Sequence, residues 1–293
     1  MVSNKGNYTI IDLANFRNSK VVCLTLDVEQ DYGDLLDEPS YEGLQHVPDL
    51  VNLFKARNIP VTCFVQGSLF EIHPSAIEQL SALDVEFGVH AYSHPKPKEI
   101  DHELEISKGK EAFTKFWGRE PITYRSPSGV VDENMFSILP LYGFKFDSSV
   151  VPSVRPGAFN NLNKPTGPYF LNDSGIVEFP VTVVSNLIRI PISLSYVKLL
   201  GKPYFYLLRS SNLPNLIIFG FHLHDLYTLT SSSNIPFKKF HPLYRPIFRR
   251  IYTRRSDSGM GLLENLITLF STKGYRFLKL IDIYDAVSKE ARI

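Results

Sequence analysis

The sequence predicts an α/β protein whose strands run parallel, in a sheet either open or closed into a barrel. Three observations predict it. Short apolar, β-branched runs alternate with segments whose apolar residues recur at helical spacing. No internal repeat or low-complexity tract interrupts that alternation. The residues with the most chemistry stand where the apolar runs stop, and parallel sheets and barrels gather their sites at the carboxyl ends of strands.

Taken in order, "KVVCLTLDV" is a first strand. Residues 41–58 form a helix, with Leu44, Val47, Leu50, Val51 and Phe54 on one face and Asn58 and Pro60 closing it. "IPVTCFVQG" is the second strand, and "HPSAIEQLSAL" a helix with Pro74 near its start. "VEFGVHAYSHP" runs from strand into loop, ahead of the long amphipathic helix "IDHELEISKGKEAFTKFWG". "ITYRSPSG", "VVDENMFSILPLYG" and "FKFDSS" repeat the pattern as strand, helix, strand. Residues 150–172, rich in Pro, Gly and Asn, read as a long loop or lid. "GIVEFPVTVV" and "NLIIFGFHLHDL" are further strands, and the chain closes as helix, strand and short helix. A single domain over 1–293 is the simplest arrangement, with a basic aromatic insertion at 236–256.

Composition narrows the function classes. The 293 residues are 44% hydrophobic and 21% charged, as expected of a folded globular chain rather than a disordered one. Lys and Arg (31) balance Asp and Glu (30), so no overall field argues for nucleic acid, and none is expected as a partner. Cys23 and Cys63 sit inside apolar runs and are expected to be buried core residues. The N-terminal segment has no apolar signal region, and no run of about eighteen apolar residues occurs. A cytoplasmic location is the resulting expectation.

The stretch "LTLDVEQDYGD" places Asp27, Glu29 and Asp31 at alternate positions after the first strand. If strand geometry persists, the three share a face, and spacing alone does not separate their roles. "HAYSH" sets His90 and His94 four apart beyond another strand. Two imidazoles and a carboxylate form a three-ligand set for zinc or a neighbouring metal. A second carboxylate then remains to take a proton from water whose pKa the metal has lowered. Arg125, Asp147 and His224 also fall at strand ends.

In chain order, "TLDVEQDYG", "HAYSH", "YRSPSG", "FDSS", "VEFPVT" and "FHLHDL" resemble the polysaccharide deacetylases of the NodB-homology type, carbohydrate esterase family four, in their D-V-E branch. The resemblance implies a distorted (β/α) barrel, TIM-like, that hydrolyses the N-acetyl group of an amino sugar. It assigns Asp27 as general base, His90 and His94 as metal ligands, and Arg125 as the group holding the base carboxylate. His224 would be the catalytic acid, Asp147 its support or that of the loop around it. Backbone near Ser126, Pro127, Ser128 and Gly129 would stabilise the oxyanion, with Tyr92 and Pro127 as groove neighbours. Most members carry two adjacent aspartates, the second binding metal. Val28 stands in that place here, so the third ligand moves to Glu29, with Asp31 in reserve. His222 shares the strand "FHLHD" with His224 and is the other candidate acid. Zn2+ is the expected metal.

One stretch lies outside this pattern. Residues 238–255 hold Lys238, Lys239, Arg245, Arg249, Arg250, Arg254 and Arg255 among aromatic residues, and "NLIRIPISLSYVKLL" upstream is apolar. Together they suggest a lipid-linked saccharide and peripheral contact with the inner face of a membrane. Two rivals remain: a deformylase or other linear-amide hydrolase, and a glycan-binding module without turnover. Val28 favours the second.

Overall fold

A computed structural model describes residues 4–5, 7–12, 16, 19–155, 159–239, 242–243, 245–246, 249 and 259–291. Its centre is a distorted (β/α) barrel. Seven parallel strands form the wall: β1 (Lys20–Val28), β2 (Val61–Val65), β3 (Val85–Val89), β4 (Thr123–Tyr124), β5 (Phe146–Asp147), β6 (Val177–Glu178) and β7 (Leu216–His222). They pair in the order β6-β5-β4-β3-β2-β1-β7, and β8 (Tyr275–Phe277) pairs with the first residues of β1. The circle closes without a ladder. Past β6, the amide of Thr182 donates to the carbonyl of Ile218 at 3.0 Å, and its hydroxyl accepts from the Ile218 amide at 2.8 Å.

β1 shows why this sequence makes a barrel wall. Residues 21–28 of the strand are buried, as expected of a parallel strand covered on both faces. Val22, Leu24, Leu26 and Val28 pack outward in the larger core, against helix α1 (Val47–Arg57) among others. Val21 and Cys23 belong to the inner core with Phe64, Phe146, Phe179, Leu216 and Ile218. The lower end of that interior holds Leu280, Ile283 and Val287 of the C-terminal helix, Leu280–Ala291. Continuing the period of two, Thr25 and Asp27 follow Val21 and Cys23, so the inward row of one strand passes from apolar to charged.

Three elements differ from the sequence reading. The helix expected over 41–58 is α-helical only from Val47, with a 3₁₀ turn at Glu42–His46 before it. Pro48 has no N–H to bond backwards, so it begins the α-helix rather than continuing one. Residues 150–172 are not wholly loop: Val154–Arg155 pairs with Phe159–Asn160, and Tyr169–Leu171 adds antiparallel to β6. The strand "NLIIFGFHLHDL" ends at His222, and Leu223–Leu226 is a helical turn. Of the basic insertion at 236–256, residues 240–241, 244, 247–248 and 250–256 lie outside the described residues. Cys23 and Cys63 are both buried and unbridged.

Candidate active site

The carboxyl ends of β1, β3, β4 and β7 open into a pocket of about 410 Å³. Asp27, Glu29, His90, His94, Arg125, Ser126, Ser128, Gly129, His222 and His224 all line it. The sequence scatters these ten residues between positions 27 and 224, and the parallel wall brings them together.

Glu29 stands between two imidazoles. Its Oε2 lies 2.9 Å from His90 Nε2 and 2.8 Å from His94 Nε2, with all three side chains buried. Burial alone would raise the Glu29 pKa, but the charge of His94 and hydrogen bonds from both histidines hold it well below the usual carboxylate range. His90 Nδ1 lies 2.9 Å from the carbonyl of Arg125 and donates to it, which leaves Nε2 as a lone pair in the neutral ring. A proton on Nε2 makes the hydrogen bond to Glu29, and in the neutral ring the same atom is free to bind a cation together with that carboxylate. One ligand atom from each residue lies within 4.8 Å of the others, so Glu29, His90 and His94 fit a metal ion.

The loop carrying the histidines is braced from elsewhere. Glu105, buried in the helix His102–Trp117, accepts from the amides of Tyr92 (2.8 Å) and Ser93 (2.7 Å) and from the Ser93 hydroxyl (2.6 Å). Ala91 and His94 both hold positive φ, 54° and 56°. Strained backbone of this kind persists only where surrounding bonds enforce it, and Glu105 supplies them. Gly33 leaves space for the ring: a Cβ there would come within 2.9 Å of His94 Cε1.

Asp27 is held by Arg125, whose Nη1 donates to Oδ1 at 2.7 Å. The same guanidinium donates to Thr25 Oγ1 (2.9 Å), Ser148 Oγ (2.8 Å) and Ser148 O (2.8 Å), and lies 4.2 Å above the Phe64 ring. Across the pocket, His222 Nε2 is 3.5 Å from Asp27 Oδ2. His222 Nδ1 is 2.9 Å from Asp225 Oδ2, which also accepts from the Ser195 hydroxyl at 2.7 Å. Burial would lower the His222 pKa, yet the Asp225 hydrogen bond and the charges of Glu29, Asp225 and Asp27 raise it to about 9. These neighbours favour the protonated ring.

His224 is different. Its Nδ1 accepts the Tyr32 amide at 3.1 Å, and burial with the neighbouring His222 charge lowers its pKa to about 3. It is a neutral ring stacked on His222, centroids 4.7 Å apart. The premise that His222 and His224 share one strand face fails because the strand ends between them, where Asp225 caps the helical turn.

Other expectations also need correcting. Asp31 does not turn toward the metal trio: its carboxylate accepts from Ser40 Oγ (2.6 Å) and from the amides of Glu42 (2.7 Å) and Gly43 (3.0 Å). Strand geometry stops at Val28, so the alternation that would have kept Asp31 on the same face is lost. Asp147 is beneath the site, and its bonds go to Ser149 Oγ (2.7 Å), to the Ser149 amide (3.0 Å) and to Glu178, not to a histidine. Burial raises both carboxyls of this pair, and Glu178, raised the further by the Asp147 charge, is the neutral acid that donates to Asp147. Tyr92 donates to Glu71 at 2.9 Å, and neither it nor Pro127 lines the pocket. The Ser126 amide is taken by Ser149 Oγ at 2.7 Å, whereas the buried Ser126 hydroxyl has no hydrogen-bond partner among the described residues.

Sequence reasoning missed Glu105 and Glu178 and misplaced Asp225. The signal for Glu105 was a carboxylate in the first turn of a helix otherwise buried on that face. Asp225, beside the histidines in "LHD", favours His224 as read from sequence but bonds His222 in the structure, and Glu178 within "VEFP" was seen without a role.

Residues 15–146 match the polysaccharide deacetylase family. The chain is 26% identical over 125 residues to a peptidoglycan deacetylase of Helicobacter pylori, 42% of this chain and 43% of that protein. It is 28% identical over 131 residues to a peptidoglycan-N-acetylglucosamine deacetylase of Bacillus cereus, 44% of this chain and 55% of that protein. The matches thus span about half the length of these curated relatives. A crystal structure assigned as a polysaccharide deacetylase of Mycobacterium smegmatis has a TM-score of 0.63 at 17% identity, covering 99% of this chain and 96% of that one. A Pseudomonas aeruginosa structure with the same assignment gives 0.59 at 16%, covering 92% and 91%. At these identities the structural likeness is one of fold.

Proposed function

We propose, from the match of residues 15–146 to the polysaccharide deacetylase family, that the pocket hydrolyses the N-acetyl group of an amino sugar in a glycan or lipid-linked saccharide. The observation that carries this reading is the facing pair Asp27 and His222, 3.5 Å apart and each held by a separate charged partner. One is an acceptor and the other a protonated donor, which is what amide hydrolysis needs on its two sides.

In this reading water adds to the amide carbonyl while Asp27 takes its proton, with Arg125 fixing the carboxylate. The Ser126 hydroxyl, buried at the wall without another partner, donates to the carbonyl oxygen as it becomes an oxyanion. His222 then gives its proton to the departing nitrogen as the C–N bond breaks, releasing acetate and a free amine. We assign the acid to His222 rather than His224, because His224 is neutral and its Nδ1 is occupied by the Tyr32 amide. A divalent ion, zinc first, held by Glu29, His90 and His94, would supply Lewis acidity and bring the pKa of water near neutrality. Glu29 thereby takes the place that Val28 leaves open. The names of the relatives favour N-acetylglucosamine as the sugar.

Elemental analysis of chelator-free protein, paired with acetate and formate release from N-acylated sugars, tests this. A near-stoichiometric ion with acetate release is expected. Formate alone would give the reaction to a deformylase, and no product after metal is restored would leave a binding module.

A further inference from the structure

The pocket has two unlike halves. Asp27, Glu29, the histidines and Arg125 make the inner half, while Val151, Val154, Phe159, Val181, Pro191 and Leu199 make the outer one. A sugar needs polar partners for its hydroxyls; those six side chains have none to give, and Arg155, Ser193, Ser195 and Tyr196 are the polar groups that line the pocket alongside them.

The apolar lining also continues onto the surface. Val154 lines the pocket yet is 46% exposed, and beyond it stand Leu162, Ile188 and Leu187, the last 92% exposed. Single exposed leucines are ordinary, but these ride on loops tied to one another. Arg189 Nη1 donates to the carbonyls of Lys164 (3.0 Å) and Pro152 (3.4 Å), and Thr166 bonds Asn186. They form one braced platform at the mouth of the pocket.

Charge says what such a platform fits. Between residues 150 and 215 the basic residues are Arg155, Lys164, Arg189, Lys198, Lys202 and Arg209, and the acidic ones are Asp173 and Glu178. Glu178 is fully buried, so Asp173 is the single exposed acid of this stretch, in a chain of net charge +1. Lys198 is spent on Asp225 at 3.7 Å and Arg189 on backbone carbonyls, but exposed apolar side chains in a stretch that also presents Lys164, Lys202 and Arg209 match an anionic bilayer, where the former enter the acyl boundary and the latter meet head groups.

We propose that the platform of Val154, Leu162, Leu187 and Ile188 docks on an anionic phospholipid bilayer, with the pocket mouth facing the lipid. On the deacetylase reading, the substrate is then an amino sugar carried on a lipid, whose apolar end lies along the outer wall. This contact is separate from the basic stretch at 238–255 and does not depend on it.

The test is co-sedimentation of the full chain with vesicles of phosphatidylcholine alone and of phosphatidylcholine with phosphatidylglycerol. The protein is expected to pellet with the anionic vesicles only. The double substitution Leu187→Asp with Ile188→Asp should weaken that binding about tenfold or more, with the thermal unfolding temperature and acetate release from a soluble N-acetylated oligosaccharide unchanged. The proposal is overturned if the parent protein stays in the supernatant, or if a folded double variant pellets as the parent does. Normal pelleting with no acetate release would instead sink the deacetylase reading and leave the docking surface standing.

Discussion

The upper and lower halves of the barrel interior are built from the same strands and do opposite things. Near the bottom, Val21, Cys23, Phe146, Leu216 and Ile218 pack with Leu280 and Ile283 of the C-terminal helix, all of them buried. Near the top, Thr25, Asp27, Arg125 and His222 occupy the same inward rows. The bottom gains from excluding water, at about 25 cal/mol per Å² of apolar surface. The top spends part of that gain holding charges out of bulk solvent, each with a partner. Stability and chemistry are therefore divided along the barrel axis, not among separate elements.

Substitutions at the two ends should separate cleanly. The largest effect is expected from Asp27→Asn, which keeps the shape but removes the proton acceptor. Turnover should fall by roughly 10³-fold in kcat, and acetate release at the parental rate would remove Asp27 from the mechanism. At the other end, Ile283→Ala should cost about 3 kcal/mol of stability in denaturant titration while kcat at low temperature is kept. Loss of kcat in a folded Ile283→Ala protein would break the division between the ends.

The paired histidines sharpen the comparison within the top. His222→Gln should lower kcat roughly 10²-fold, whereas His224→Gln removes only a stacked ring and an acceptor for the Tyr32 amide. The second change should show mainly in unfolding, at about 1 kcal/mol. A larger kcat loss from the His224 change would return the acid role to that residue.

A pH-dependent effect is expected at the lower rim. Glu86 accepts from Thr62 Oγ1 (2.8 Å) and the Ile281 amide (3.0 Å), and burial raises its pKa to about 7 against those bonds. Because the folded value exceeds the unfolded one, the folded state binds the extra proton between the two. Stability should therefore fall as pH rises from about 4.5 to 7, by roughly 3 kcal/mol, and stay level above. Glu86→Gln should flatten that slope in unfolding curves taken across the window. An unchanged slope would mean that another group sets it.

Much of this was legible in the sequence, for physical reasons that also explain what was not. Strands of period two ending in charge gave Asp27, Glu29, His90, His94 and Arg125 their places. Asp31 misled because the alternation that justified it ends at Val28, and a turn redirects the carboxylate to Ser40, Glu42 and Gly43. The placing of His224 on the strand fails because one helical turn begins where the strand was expected to continue. The supports were harder still: Glu105 reaches back thirteen residues to a loop, and Tyr32 meets His224 across 192. Local pattern does not encode such distances; they follow from closure of the barrel.

That closure has a weak seam. β1 and β7 are in register over seven consecutive residue pairs, but the segment past β6 joins β7 through Thr182 on Ile218 and a single bridge of Ser193 with Gly220. Val181, beside Thr182, lines the pocket, while the residues that fit a metal stand on and beyond β1 and β3. Fewer backbone bonds mean a lower free energy of local opening. The wall should breathe on the side that admits the substrate and stay rigid on the side that holds the ion, as a clamp with one fixed jaw does. Faster amide exchange at Ile218 than at Leu24 in the adjoining strand would show it, and equal protection would mean that both jaws are fixed.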